Sequence, residues 1–288
     1  MTATSATRSD PRMFIRRLRR IPAVIAICMV VLGVIVIAGI FGRALAPGDP
    51  TAQDLANVLA HPSGKHWLGT DGLGRDVFSG LIVGVRSALI GPLLISIGSM
   101  LIGNLVGVLA GYRGGAVDSA IMRVVDLMLA MPALLLIIVV YGAVGGGYWM
   151  GVILLTVLSV PGNLRLVRAA TLEQTPRPYV ESAKTLGISN FRIMTLHIWP
   201  NISGLVVANT CLDFAGALVA LSSLSFLGLG VAPGASDWGQ MLSDGEPALF
   251  QNPIAALAPG LAIVLVAASV NLIGNWAYDR ISSRGATR

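Results

Sequence analysis

Charge is what this sequence has least of. Only 12% of its 288 residues are Asp, Glu, Lys or Arg, against about a quarter in soluble domains, which excludes an ordinary water-soluble globule. Cysteine is nearly absent: Cys28 and Cys211 lie in apolar runs with no partner spacing, so both read as small buried hydrophobes rather than a disulfide or metal site. His61, His66 and His197 have no metal-ligand spacing either. There is no Walker A pattern, no His-Glu-x-x-His and no nucleophile with a general base near it in sequence. The chain is therefore expected not to be an enzyme, and to bind no metal or cofactor of its own.

What is present is apolar sequence, 55% of the chain, gathered in long uncharged runs. Residues 1–21 form a basic tail with six arginines against Asp10. The run 22–42 follows. At 1.5 Å per residue it crosses a hydrocarbon core of about 30 Å, and it is too long for a signal-peptide core. Residues 43–86 read as a polar loop; the glycines between His66 and Val77 are too irregular to cradle phosphate. Residues 87–280 hold five further spans. The second runs from Ser87 to Tyr112. Two more, 119–143 and 148–166, are joined at Gly145-Gly146-Gly147, with Pro132 marking a kink in the first. The fifth covers 204–230, an acidic loop opens at Pro233-Gly234, and the sixth starts near residue 256. A tail, 281–288, closes the chain. The expected class is all-α, a polytopic membrane protein of six transmembrane helices.

The Lys and Arg residues set the orientation. Six lie in the N-terminal tail, two in the 112–123 turn, five in 165–200 and three at the C-terminal end, 16 of 20 in all. Such an excess marks one side as cytoplasmic, with both termini on it. It also explains the +6 formal charge through a lipid bilayer rather than a nucleic acid.

Residues 165–200 form a polar island in this setting. Residues 181–186 suit a short helix, Gly187 its C-terminal stop, and Ser189 or Asn190 the cap of a second short helix ending before Pro200. Two readings stand side by side: a solvated basic loop that satisfies the charge rule, or a projecting knob on which another polypeptide docks. Among intramembrane charges Asp213 stands out; it is expected to face a polar cavity or pair with a partner helix rather than relay protons. Arg123 and Asp126 share a helix face and are expected to pair.

The order Glu181-Ser182-Ala183, Gly187, Ile198-Trp199-Pro200 resembles the cytoplasmic loop of ATP-binding-cassette importer permeases, and the chain is similar to the C-type subunit of the dipeptide/oligopeptide/nickel permease family. His66 to Val77, Tyr112-Arg113-Gly114-Gly115 with Asp118, Met122-Arg123, Asp126 and Pro132, Leu224 to Gly230 with Trp238 to Leu242, and Asn271 to Gly274 carry the same resemblance in the same order. It implies a type I importer permease in a bacterial plasma membrane. The partners implied are a homologous second permease, two ATP-binding subunits docking on 181–200, which hold ATP and Mg, and an extracytoplasmic substrate-binding protein. Glu181, Ser182, Ala183, Lys184, Gly187, Arg192 and Pro200 would carry the ATPase coupling, with Arg165 and Arg168 as salt partners of the ATPase surface. Asp213, Ser222 and Ser225 would face the pathway. Di- and oligopeptides are the expected cargo; nickel chelates or haem are the alternatives, and an ion-driven secondary transporter is the rival of another class. Ser182 stands for the usual alanine, Trp199 for the usual leucine, and Leu221 for a common glutamate.

Overall fold

The computed structural model describes residues 22–232 and 234–285, with the side chains of 281–285 left aside. The basic N-terminal tail, Pro233 and the last three residues lie outside the described residues. The helices are α1, Ala23–Leu45; α2, Val77–Arg113; α3, Gly115–Leu129; α4, Ala133–Val144; α5, Tyr148–Gln174; α6, Pro178–Thr185; α7, Asn190–Phe226; α8, Trp238–Gly245; and α9, Pro253–Gly285. Among the described residues no strand forms beyond a bridge between Thr70 and Asp76.

Helices α1, α2, α5, α7 and α9 are each long and apolar enough to cross a bilayer, and α3 with α4 makes a sixth crossing if counted as one span. That span is broken rather than kinked: its halves meet at 78°. Pro132 cannot donate to the ladder and drives Met131 out of helical geometry, so α4 restarts beyond it with Pro132 in the capping position.

Several boundaries differ from expectation: α5 runs on to Gln174 rather than ending at 166, and α9 continues to Gly285. Helix α2 starts at Val77, not Ser87, because the Asp76 carboxylate accepts from the Ser79 amide at 2.8 Å and caps the helix there. Its 37 residues exceed the roughly 20 that a bilayer needs, so the end carrying exposed Arg86 projects beyond the hydrocarbon. Helix α7 likewise does not stop before Pro200. Residues Ile193–Ile198 widen into a π-helical turn, with the Trp199 amide reaching the Met194 carbonyl. The chain thereby passes the proline, which has no amide to offer, without leaving the helix.

Helix α2 is the axis of the bundle. A Cβ on Gly103, Gly107 or Gly111 would lie 2.7, 2.9 or 2.8 Å from Asn163, Leu164 or α5 backbone near Thr171, so these glycines let α2 and α5 pack backbone to backbone. Small residues at this spacing are how helices associate where lipid supplies no hydrophobic drive. Towards one end, Val85, Ala88, Phe214, Leu218, Trp238 and Ile263 bury one another. In the middle, Ile95, Ile137, Tyr141, Leu155 and Leu221 do the same. Leu221 sits against Gly91 and Gly151, apolar surroundings in which an unpaired carboxylate would be costly; the leucine suits its site.

Beyond the α2 N-terminus, residues 46–76 fold into a cap held by polar contacts. Arg75 donates to Asp71 at 2.6 Å and to Asp244 of α8 at 2.7 Å. Burial alone would lower the guanidinium's pKa; the two carboxylates outweigh it and hold it above its ordinary value. His66 lies 3.0 Å from Asp76, and Asn252 donates to the Thr70 carbonyl at 3.1 Å.

Candidate functional site

The polar island folds as a knob at the opposite end of the bundle from this cap. Pro178 opens α6 at its first position, Glu181 lies in its first turn and Lys184 in its last, each matched to the helix dipole. Gly187, at φ +73°, ends it. The Ile188 amide reaches the Ala183 carbonyl at 3.1 Å and the Gly187 amide reaches Lys184 at 3.0 Å, the paired bonds of a Schellman stop. The chain turns through Ser189, whose carbonyl accepts from the Ile193 amide at 3.0 Å, and enters α7.

The knob has its own core. Val180, Ala183, Ile193 and Ile198 are buried together, with Tyr112, Tyr179 and Ile188 packed against them. This sorts the predicted residues. Ala183 faces inward, and Gly187 and Pro200 shape the backbone. Glu181, Ser182, Lys184 and Arg192 are exposed, and among the described residues none of them joins an ion pair. Lys184 instead lies over the Tyr112 ring, 5.4 Å from its centre. Trp199 is 41% exposed, so its bulk points outward and does not crowd the knob.

Three large apolar side chains had escaped the sequence reading: Leu186, Phe191 and Leu196, exposed to 79%, 71% and 66%. The signal was there, since large apolar residues in a polar island with no matching helical face have no internal place to go. Large apolar side chains exposed on a polar surface are the feature that contact sites carry.

The neighbouring arginines are occupied within the chain. Arg168 holds both oxygens of Asp118 and Arg165 pairs with Asp126. Both join α5 to α3. This corrects one expectation, since Asp126 pairs with Arg165 rather than Arg123, and it ties both Arg165 and Arg168 to α3. Interhelical geometry prevails because α5 lies alongside α3, a proximity that spacing along one helix does not reveal.

A second feature lies between α7 and α9. Two adjoining hollows, about 440 and 730 Å³, share Val219, Ser223, Ile263 and Val264, and extend to Leu134 and Asn271. Ser222 lines the first. Ser225 does not reach it: the residue is fully buried where Gly230 and Gly239 press against it. Asp213 is tied into the bundle. Asn209 donates to its carboxylate at 3.2 Å and to Asn163 at 2.7 Å, and Asn163 donates to Ser99 at 3.0 Å. This polar chain crosses α7, α5 and α2, and it places Asp213 near the middle of the part of α7 that follows Pro200 rather than towards its knob end.

Apolar helices long enough to cross a bilayer, a polar knob at one end and an open groove between α7 and α9 define a polytopic membrane component. Residues 103–285 match the model of the family described as binding-protein-dependent transport system inner membrane component, and the chain belongs to that family. It is 35% identical over 280 residues to the glutathione transport system permease protein GsiD of Pectobacterium atrosepticum, covering 97% of this chain and 93% of that one. It is 34% identical to the probable D,D-dipeptide transport system permease protein DdpC of Escherichia coli, covering 85% and 82%. It is 32% identical to the dipeptide transport system permease protein DppC of Alkalihalophilus pseudofirmus, covering 89% and 84%. In fold it is similar to a chain of the inward-facing MetNI methionine ABC transporter, with a TM-score of 0.58 at 17% identity over 70% of this chain and 96% of that one. The protein is thus a multi-pass permease subunit with the fold of an ATP-binding-cassette importer permease.

Proposed function

We propose that this subunit and a homologous second permease together form the pathway of an ATP-driven importer of small peptides, glutathione included. Relatives named for glutathione and dipeptide transport along most of the chain's length support that substrate class over nickel chelates or haem. The groove between α7 and α9 faces the second permease, with Ser222 in its wall. Asp213 and Ser225 stand behind that wall and fix its shape.

The knob is the observation that carries the mechanism. It has a buried core, a fixed glycine stop and an exposed surface of Glu181, Ser182, Lys184, Leu186, Phe191 and Arg192, the mixed apolar and polar make-up of a docking site. We assign it to the cytoplasm by the positive-inside bias, with both termini on that side. Two ATPase subunits supply the hydrolysis, ATP and Mg included; one sits on this knob and the other on the second permease. Their closure moves the knobs, and the spans rigidly joined to them reverse the pathway's access. The cap of residues 46–76 then faces a substrate-loaded binding protein.

The test is uptake of labelled dipeptide and glutathione by vesicles holding the whole complex, with its binding protein added outside. Uptake that needs both ATP within and binding protein outside is expected. Uptake driven by an ion gradient without ATP would overturn the proposal in favour of a secondary transporter.

A further inference from the structure

Resting on the coupling reading above, we infer that Tyr112 is a positioning residue for transport, a strut that carries displacement of the knob into α2 beside the knob's direct continuation into α7. In the knob's buried cluster, among the described residues, every member comes from 179–198 except Tyr112, the penultimate residue of α2. Its ring packs on that core, its hydroxyl donates to Asn190 Oδ1 at 2.9 Å, and the Lys184 ammonium lies over its face. One side chain therefore contacts α6, the start of α7 and the apolar centre of the knob.

The other end of the strut is α2 itself. At 1.5 Å per residue its 37 residues extend about 55 Å. Along its inner face the stripe Gly103, Gly107, Gly111 meets α5 too closely to slide without moving it. At its far end the Trp238 indole donates to the Leu81 carbonyl at 3.0 Å and Ser87 donates to Asp237 at 2.9 Å, fastening the start of α8 to α2. A push on α6 delivered through Tyr112 therefore reaches both α5 and α8. The hydroxyl makes the link directional: ring packing sets no angle of its own, whereas the bond to Asn190 fixes one between the end of α2 and the start of α7.

The experiment uses the whole transporter in proteoliposomes and reads three quantities: ATPase subunits retained, ATP hydrolysed and substrate taken up. Tyr112→Leu keeps apolar bulk and loses the hydroxyl and the aromatic face. It is expected to retain the ATPase subunits while lowering uptake per ATP hydrolysed by about tenfold. Tyr112→Phe and Asn190→Ala each remove one partner of the same hydrogen bond, and each should lower that ratio by about fivefold, the size expected for one net hydrogen bond. Combined, they should cost no more than either alone. A ratio unchanged in Tyr112→Leu, or a loss explained wholly by less protein in the membrane, overturns the inference. Should the leucine variant fail to fold, the phenylalanine and alanine pair decides: equal, non-additive losses support the strut, and an unchanged ratio in both refutes it. Failure of the underlying coupling reading looks different. Glu181→Lys on the knob surface would then leave ATPase retention and uptake intact, whatever Tyr112 does.

Discussion

The guanidinium of Arg168 grips both carboxylate oxygens of Asp118, joining α5 to the first half of a span that breaks by 78° beyond Leu129. Without this anchor, α3 has little else to hold it, since Val125 is its one buried residue. Arg165 and Asp126 repeat the link two turns on, more exposed to solvent, where a pair contributes little.

Arg168→Ala should therefore destabilise the protein by about 2 kcal/mol, the range for a charged hydrogen bond left half-buried. In detergent this corresponds to a midpoint lower by about 2–4 °C. Arg165→Ala should shift it by less than about a degree. Equal shifts in the two variants would show that α3 is held elsewhere.

The contact between α2 and α5 admits no side chain. Gly107→Leu places its Cβ 2.9 Å from the Leu164 carbonyl oxygen, an overpacking cost of about 1–3 kcal/mol or more. Membrane accumulation of this variant should fall several-fold, measured by quantitative blotting. Gly142→Leu, where nothing approaches within 4 Å, should accumulate normally.

Gly187 sits at φ +73° with open space around its missing Cβ, so only backbone strain opposes a side chain there. Gly187→Val should cost about 1–2 kcal/mol, and Gly187→Asn less, since asparagine tolerates this conformation. Limited proteolysis between residues 185 and 190 should rank them valine, asparagine, glycine, fastest first. A reversed order would mean that the stop does not hold the knob.

At the far end, Arg75 fastens the cap to α8 through Asp244. Arg75→Met should leave two half-buried carboxylates without their shared cation, and hydrogen exchange across 58–76 should rise by at least tenfold, an opening easier by about 1.4 kcal/mol. Unchanged protection would show that Asn252 and Thr70 hold the cap by themselves.

Much of this fold was legible because lipid permits few solutions: a long uncharged run must close its own hydrogen bonds, and a helix does so. The glycine turn at 145–147 and the stop at Gly187 were readable for the same local reasons. Less visible was how helices continue through unfavourable residues. Pro200 reads as a terminator, yet a π-helical turn just before it absorbs the missing amide, which depends on the knob core around Ile193 and Ile198. Arg86 made α2 look shorter than it is, because charge marks the end of the membrane and not of the helix. The partners of Arg165 and Arg168 were beyond the sequence, since they lie on another span. The four-residue spacing of Gly103, Gly107 and Gly111 was in plain view, and it is the pattern that places α2 against α5. On the knob, Glu181 and Lys184 were readable as surface, whereas Leu186 and Phe191 gained meaning only once the core was seen to be filled without them.

The central claim, that the knob is where an ATPase subunit docks, is tested most directly by placing a photoreactive amino acid at Leu186 in the assembled transporter. The account predicts an adduct with the ATPase subunit, enhanced or diminished as nucleotide closes the ATPase pair. Labelling of water and lipid alone, or of the binding protein, would contradict it.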